Sequence, residues 1–354
     1  MTALDTGSLT SPVLAARALA DELLRPAAER VDATVVPRSH LDALATAGLL
    51  GVSAPAELGG GGHPPAVGRE VVEQVAGACG ATWFVLTQHA LPMLTAARTG
   101  HPVAADLASG RLLSGVAVAH LRRPGPPAVT AQRVDGGWRF DGHVGWMTSW
   151  GICDVFLLAA VAGDEVVTVV LDAVEQPGLT ASEPMRLAAM TATRTVTLDL
   201  TGLHVPDSAV LEVAPLQPWL EADRQKTANP SAHTFGLQRE CVGRLRATGE
   251  RRGEQAALDL AEQLAEEGEV LRASAYSLLD DVHPAERVED RLTTRAASLD
   301  LVVRSATALV AATGGSALAL DAAPQRLVRE AVFHVVQAQT GPVREATLRR
   351  MASR

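Results

Sequence analysis

The residues of this 354-residue chain that could do chemistry are three histidines, a pair of acids and one polar run between two tryptophans. His89 lies in FVLTQHALPM, His143 in GHVGWMTS and His334 in REAVFHVVQAQT. Each imidazole titrates near neutral pH and can give or take a proton where it faces a pocket. Within an apolar helix a histidine is ordinarily a satisfied core residue, so His89 and His334 become catalytic candidates only if they share a pocket. Glu221 and Asp223 stand beside Arg224 in WLEADRQK; they could serve as bases, or they could decorate the positive end of a helix. Trp146 and Trp150 bracket Met147, Thr148 and Ser149, and in a chain with five Trp and one Tyr that pairing favours a site over strand-core filling. Cys79, Cys153 and Cys241 are far apart and lack metal-ligand spacing, so they are read as buried thiols and no metal site is expected. The stretch PAELGGGGHPP has no following Gly-Lys-Ser/Thr and no preceding strand, which makes it a turn and not a phosphate cradle.

The elements that must position these residues follow from pattern. With 47% apolar residues the chain can bury at least one large core. A formal charge of -9 with no long basic run excludes a nucleic-acid groove, whose affinity rests on phosphate neutralisation. No run of eighteen apolar residues appears and MTALDTGSLT has no apolar stretch of signal type. The expectation is therefore a cytoplasmic protein, neither membrane-bound nor secreted. From Pro12 to about Gly110 apolar residues recur at three and four, a helical period. From Leu112 the chain changes to short β-branched runs separated by Asp-Gly-Gly, Gly-Asp and Thr-Gly turns, the mark of antiparallel strands. After Pro230 long helical periods return, broken by Gly314 and Gly315. The expected architecture is α+β: an N-terminal helical domain (1–111), a central antiparallel β domain (112–215) and a C-terminal four-helix bundle (216–354).

Four ordered motifs resemble the acyl-CoA dehydrogenase family: LDALATAGLLGVSAPAELGG, GGWRFDGHVGWMTSWGICDVFLLAA, TVTLDLTGLHVP and GGSALALDAAPQRLVREA. The resemblance implies a flavin between the β domain and the bundle, a flat amphipathic ring that wants an apolar or aromatic face and polar edges. It assigns ring contact to Trp146, Met147, Thr148 and Ser149, and places Arg251, Gly314, Gly315 and Thr340 at the cofactor site. It further implies FAD, an acyl substrate either free or thioester-bound, an electron-transfer or reductase partner, and a homo-oligomer, dimer or tetramer.

Departures from the family pattern reshape the expected function. Where the family carries a glutamate base this chain has Ala338, and a methyl group takes no proton. General-base catalysis is worth roughly a hundred- to ten-thousandfold, or about 3 to 5 kcal/mol. Asp223 and Glu221 are the candidates for a base placed on the first bundle helix. GERRGEQAAL lacks the family's Phe, and Ala311 replaces a Gln, so FMN, or reduced flavin supplied by a partner reductase, stands beside FAD; Arg251 and Arg252 could still meet phosphates. The leading expectation is a flavin-dependent oxidoreductase of acyl-CoA dehydrogenase type with a non-standard base, with specificity set by pocket residues such as Thr87, Met93 and Val336. A reduced-flavin monooxygenase on the same fold, using His89, His143 or His334, is the alternative. A non-catalytic partner protein is the second.

Overall fold

A computed structural model describes residues 11–353; the terminal stretch MTALDTGSLT lies outside the described residues. The first helical run is α1 (Ser11–Leu19), a π turn (Ala20–Leu24) and α2 (Arg25–Ala33). Pro26 sits in the first turn of α2. It has no N–H, its ring collides with the carbonyl four residues back, and the helix widens just before it. Then follow α3 (Arg38–Thr46), α4 (Pro65–Ala78), α5 (Gly80–Thr99) and α6 (Ala104–Ala108). The glycine-rich stretch between α3 and α4 is a closed turn: Gly61 N–H donates to Gly51 O, Gly62 to Ala54 O and His63 to Val52 O.

Eight strands form one sheet: β1 (Ser114–Ala117), β2 (Val129–Val134), β3 (Gly137–Met147), β4 (Val155–Ala162), β5 (Glu165–Asp172), β6 (Leu179–Ala181), β7 (Val196–Pro206) and β8 (Val210–Pro215). The order is β6-β7-β3-β2-β4-β5-β8, with β1 on β4. Two-residue turns at Asp135-Gly136 and Gly163-Asp164 make β2–β3 and β4–β5 antiparallel hairpins. The expectation of purely antiparallel strands needs one correction. β1 leaves through a 3₁₀ turn (Ala119–Arg122) and pairs β4 in parallel, and β2 meets β4 in parallel at Thr130 and Val161. β3 outruns β2, which pairs it only up to Gly142, and a bulge against β7 between Val144 and Met147 leaves Gly145 and Trp146 out of register. Bulges re-aim side chains; Trp146 is turned to solvent while Met147 is fully buried.

The C-terminal helices are α7 (Leu216–Ala228), α8 (Ala232–Arg252), α9 (Gln255–Asp280), α10 (Val288–Thr313), α11 (Ala323–Val336) and α12 (Gly341–Ala352). The stretch expected to be one terminal helix is therefore two. Pro342, in the first turn of α12, could not follow Ala338 within a continuous helix, and the chain turns at 337–340 with Ala338 at φ 48°. α10 is long and apolar enough to cross a membrane by length and composition, at mean hydropathy 1.3. In this fold it is the central helix of the bundle, packed against α8, α9, α11 and α12. Its fully buried Arg291 donates to Asn229 Oδ1 and, at the end of α9, to Val282 O at 2.8 Å. Carbonyls at a helix C-terminus carry partial negative charge, which explains why a guanidinium can be buried there without a carboxylate.

Candidate functional site

The penultimate residue of β3 is Trp146, 48% exposed, and the chain then drops into the interior. Thr148 is buried and its Oγ1 lies 3.1 Å from Thr195 Oγ1. Ser149 is held at φ 78° with its N–H donating to Thr193 O at 2.9 Å, and its own Oγ is buried without a partner. Opposite it, Met190 and Arg194 also have positive φ, and Arg194 Nε donates to Trp150 O at 3.0 Å. Of the five non-glycine residues with positive φ among the described residues, three thus meet in one place, and strain of this kind is more common at working sites than elsewhere. The loop that carries them is tied to the bundle as well, because Arg329 of α11 donates to Ala188 O at 3.1 Å.

The second half of the site lies where α5, α8 and α11 meet. Trp83, His233 and His334 form a closed ring cluster, with centroids 4.1 Å apart for Trp83 and His233, 4.5 Å for the two histidines and 5.0 Å for Trp83 and His334. Phe84 packs edge-on against Phe333 beside them at 4.7 Å. Trp83 Nε1 and His334 Nδ1 are buried without partners. Burial pushes the His334 imidazole down to about 3, with the Arg295 guanidinium adding to the effect. His233 is held well below the usual imidazole range by burial, then by His334 and Arg295. Both rings are neutral at pH 7.

A chain of arginines links the two halves. Arg122, on the 3₁₀ turn packed against β3, donates from Nε and Nη2 to both oxygens of Asp223 on α7, at 2.8 Å each. Arg295 of α10 donates to Thr227 O at the end of α7 and, at 2.9 Å, to Gln337 O beside Ala338. Burial lowers Arg295 to about 10, Arg122 contributing, and its Nε has no partner.

The expected site residues fall into separate places. His334 lies in the ring cluster. His89 does not: its Nε2 donates to Leu107 O at 3.0 Å and its Nδ1 accepts the Ser114 N–H at 3.1 Å, so it bridges α5, α6 and β1 with both nitrogens used. His143 points to solvent, 2.7 Å from Asp199 Oδ1. Asp223 is occupied by Arg122, and the exposed Glu221 pairs with Arg224 at 3.0 Å, so neither acid is a free base. Arg251 Nη2 reaches Thr248 Oγ1 at 3.4 Å and forms no ion pair among the described residues. Arg252 instead donates to Thr313 O at 2.8 Å, capping α10 just before Gly314, at φ 76°, and Gly315. Thr340 is the N-cap of α12. Cys79, Cys153 and Cys241 are buried and free, and no metal-binding cluster occurs among the described residues. His233, Trp83 and Arg295 join the site without having stood out in the sequence. Only Arg295 left a trace there, four residues after Arg291 and so on the same face of α10.

Two concavities, of about 610 and 480 Å³, occur: one between α9 and α10, bordered by Val270 and Arg350, the other beside Arg38, Cys153 and Asp154, reaching the strained turn at Gly151. An exposed tryptophan followed in sequence by Thr148 and an orphaned Ser149 hydroxyl has the mixed apolar and polar character that fits an amphipathic heterocycle such as flavin. Arg251, with no carboxylate on it among the described residues, is a cation available to a phosphate.

Residues 13–106 match the family model of the acyl-CoA dehydrogenase N-terminal domain. Benzylmalonyl-CoA dehydrogenase of Aromatoleum aromaticum is 38% identical over 82 residues, which are 23% of this chain and 22% of that protein, so the match spans about a fifth of the curated relative. Butyryl-CoA dehydrogenase of Megasphaera elsdenii superposes with a TM-score of 0.81 at 16% identity, covering 98% of this chain and 99% of that one. Dibenzothiophene monooxygenase of a Paenibacillus species superposes with a TM-score of 0.76 at 17% identity, covering 97% of each.

Proposed function

On this acyl-CoA dehydrogenase fold, we propose a flavin-dependent oxidoreductase with a non-standard base. The observation that carries the reading is the strand end itself, where a half-exposed Trp146 is followed three residues on by the buried, unpartnered Ser149 hydroxyl. A bound flavin supplies hydride acceptance at N5 or, when reduced, reaction with dioxygen. Trp146 would cover one face of the ring, Thr148 and Ser149 would meet its polar edge, and Arg251 would meet the phosphate of FAD or FMN. His334 and His233, closed into the Trp83 cluster and kept neutral by burial, would brace the bundle side of the site without acting as bases. The names of the dehydrogenase relatives favour an acyl thioester as substrate; a cytoplasmic homo-oligomer serviced by an electron-transfer or reductase partner completes the proposal.

A second reading, reduced-flavin monooxygenation, is favoured by Ala338 together with the saturation of Asp223, since removal of a proton from carbon normally wants a free carboxylate. One experiment tests both. Purified protein is scanned for flavin absorbance, any released flavin is weighed, and oxygen uptake is followed with reduced flavin and candidate acyl thioesters. Bound flavin reduced by an acyl thioester supports the dehydrogenase. Oxygenated product from reduced flavin supports the monooxygenase. Protein that takes up no flavin in either redox state, or Trp146→Ala protein that binds as well as wild type, sinks the reading.

A further inference from the structure

Arg123 belongs to neither the arginine chain nor the ring cluster, and its placement is specific. Its neighbour Arg122 is neutralised by Asp223, whereas Arg123 has no carboxylate or other side-chain partner among the described residues. Though exposed, its guanidinium lies beside the bulge of β3: a Cβ built on Gly145 would meet Arg123 Nη2 at 3.0 Å, Cζ at 3.6 Å and Nη1 at 3.7 Å. Glycine at 145 leaves the cation its seat, and a larger residue would press it aside. The next residue is Trp146, the exposed aromatic of the proposed ring site. An uncompensated guanidinium and an aromatic face side by side are suited to a flat ligand that bears negative charge. Flavin is such a ligand in one redox state only. Near neutral pH the reduced ring is an anion, with its charge on the pyrimidine side, while the oxidised ring is neutral.

We infer that Arg123, seated on Gly145, makes this site select reduced over oxidised flavin by pairing with the anionic ring. The inference rests on the flavin reading above and deepens it, because a site of this preference suits a chain that receives its flavin already reduced. It asks Arg123 only to discriminate charge: a guanidinium within a few ångströms of an anion, partly screened by solvent, gives a preference on the order of tenfold or more.

Anaerobic titration monitored by Trp fluorescence measures the dissociation constants of oxidised and reduced lumiflavin, FMN and FAD for wild type, Arg123→Gln, Arg123→Lys and Gly145→Ala, with thermal melts to show that each variant is folded. The expected result is at least tenfold tighter binding of the reduced form of all three flavins to wild type. That preference should be nearly lost in Arg123→Gln, partly kept in Arg123→Lys and diminished in Gly145→Ala, where the added methyl displaces the guanidinium. Two results overturn it: an unchanged reduced-to-oxidised ratio in Arg123→Gln, or an equal loss for both redox states confined to FMN and FAD, which would make phosphate the partner. Failure of every flavin to bind wild type would overturn the flavin reading and this inference together.

Discussion

At the scale of residues, the buried histidines dominate the pH behaviour. Burial pushes His89 to about 4 and His334 to about 3, and lowers His120, His40 and His233 as well. In each case the unfolded chain, with an imidazole near 6.5, binds a proton more readily than the folded one. The stability they contribute is therefore full above about pH 6.5 and drains away as pH falls toward the folded values. Each fully buried histidine that stays neutral contributes a loss of about 2 kcal/mol between pH 6.5 and pH 5, at 1.36 kcal/mol per unit. The urea midpoint should drop steeply over that interval, and His334→Phe should make the drop shallower; a midpoint flat from pH 7 to pH 5 would refute this. How much of the site could be read from sequence also shows at this scale. The Trp146–Ser149 run was visible because two of the chain's five tryptophans bracket Met147, Thr148 and Ser149. His233 was not, because nothing near it in PSAHTFG separates a ring that stacks on two others from one that faces water. Such a contact is a property of three helices at once.

At the scale of elements, α11 is held by charges placed where carboxylates and guanidinia rarely go. Arg326 and Glu330, one turn apart, are both buried and bonded at 2.8 Å, with Glu29 of α2 within 3.4 Å of Arg326. Gly80, the first residue of α5, is pressed against the Glu330 carboxylate: a Cβ there would lie 2.6 Å from Cδ. Removing one partner of a buried pair strands the other, at a cost of about 3 to 5 kcal/mol. Glu330→Ala should lower the unfolding free energy by that amount in a denaturant titration, while the double change Arg326→Met, Glu330→Leu should recover most of it. The strands and most helices were legible because glycine turns and Pro start signals are local. The split between α11 and α12 was less so: Pro342 was in plain view, but helical periodicity runs through it, and the steric conflict with position 338 is what ends the helix.

Across the whole molecule, the N-terminal helices are clamped to the bundle through Glu73 of α4, 1% exposed. Its carboxylate accepts hydrogen bonds from Arg272 at 2.7 Å and from Tyr276, and is ion-paired with Arg239, so one buried acid gathers three partners from α8 and α9. Arg69 and Arg272 lie over the Tyr276 ring at 4.7 and 4.6 Å, which extends the clamp. This contact, with the arginine chain from β3 to Ala338, makes the helical layers and the sheet a single mechanical body. Wild type should unfold in one transition by both circular dichroism and Trp fluorescence. Glu73→Gln keeps the shape but removes the charge, and should lower stability by about 3 kcal/mol and separate the two transitions. Coincident transitions in the variant would show that the clamp does not couple the layers.

The left-handed turn at Ala338 has an evolutionary corollary. Any L-residue held there bears about 1 to 2 kcal/mol of steric cost, because the penalty comes from the Cβ that all such side chains share. Alanine and glutamate are thus equivalent to the backbone at this position, and their codons can differ by a single nucleotide. The backbone at 338 bars neither residue, and the two are a short mutational distance apart.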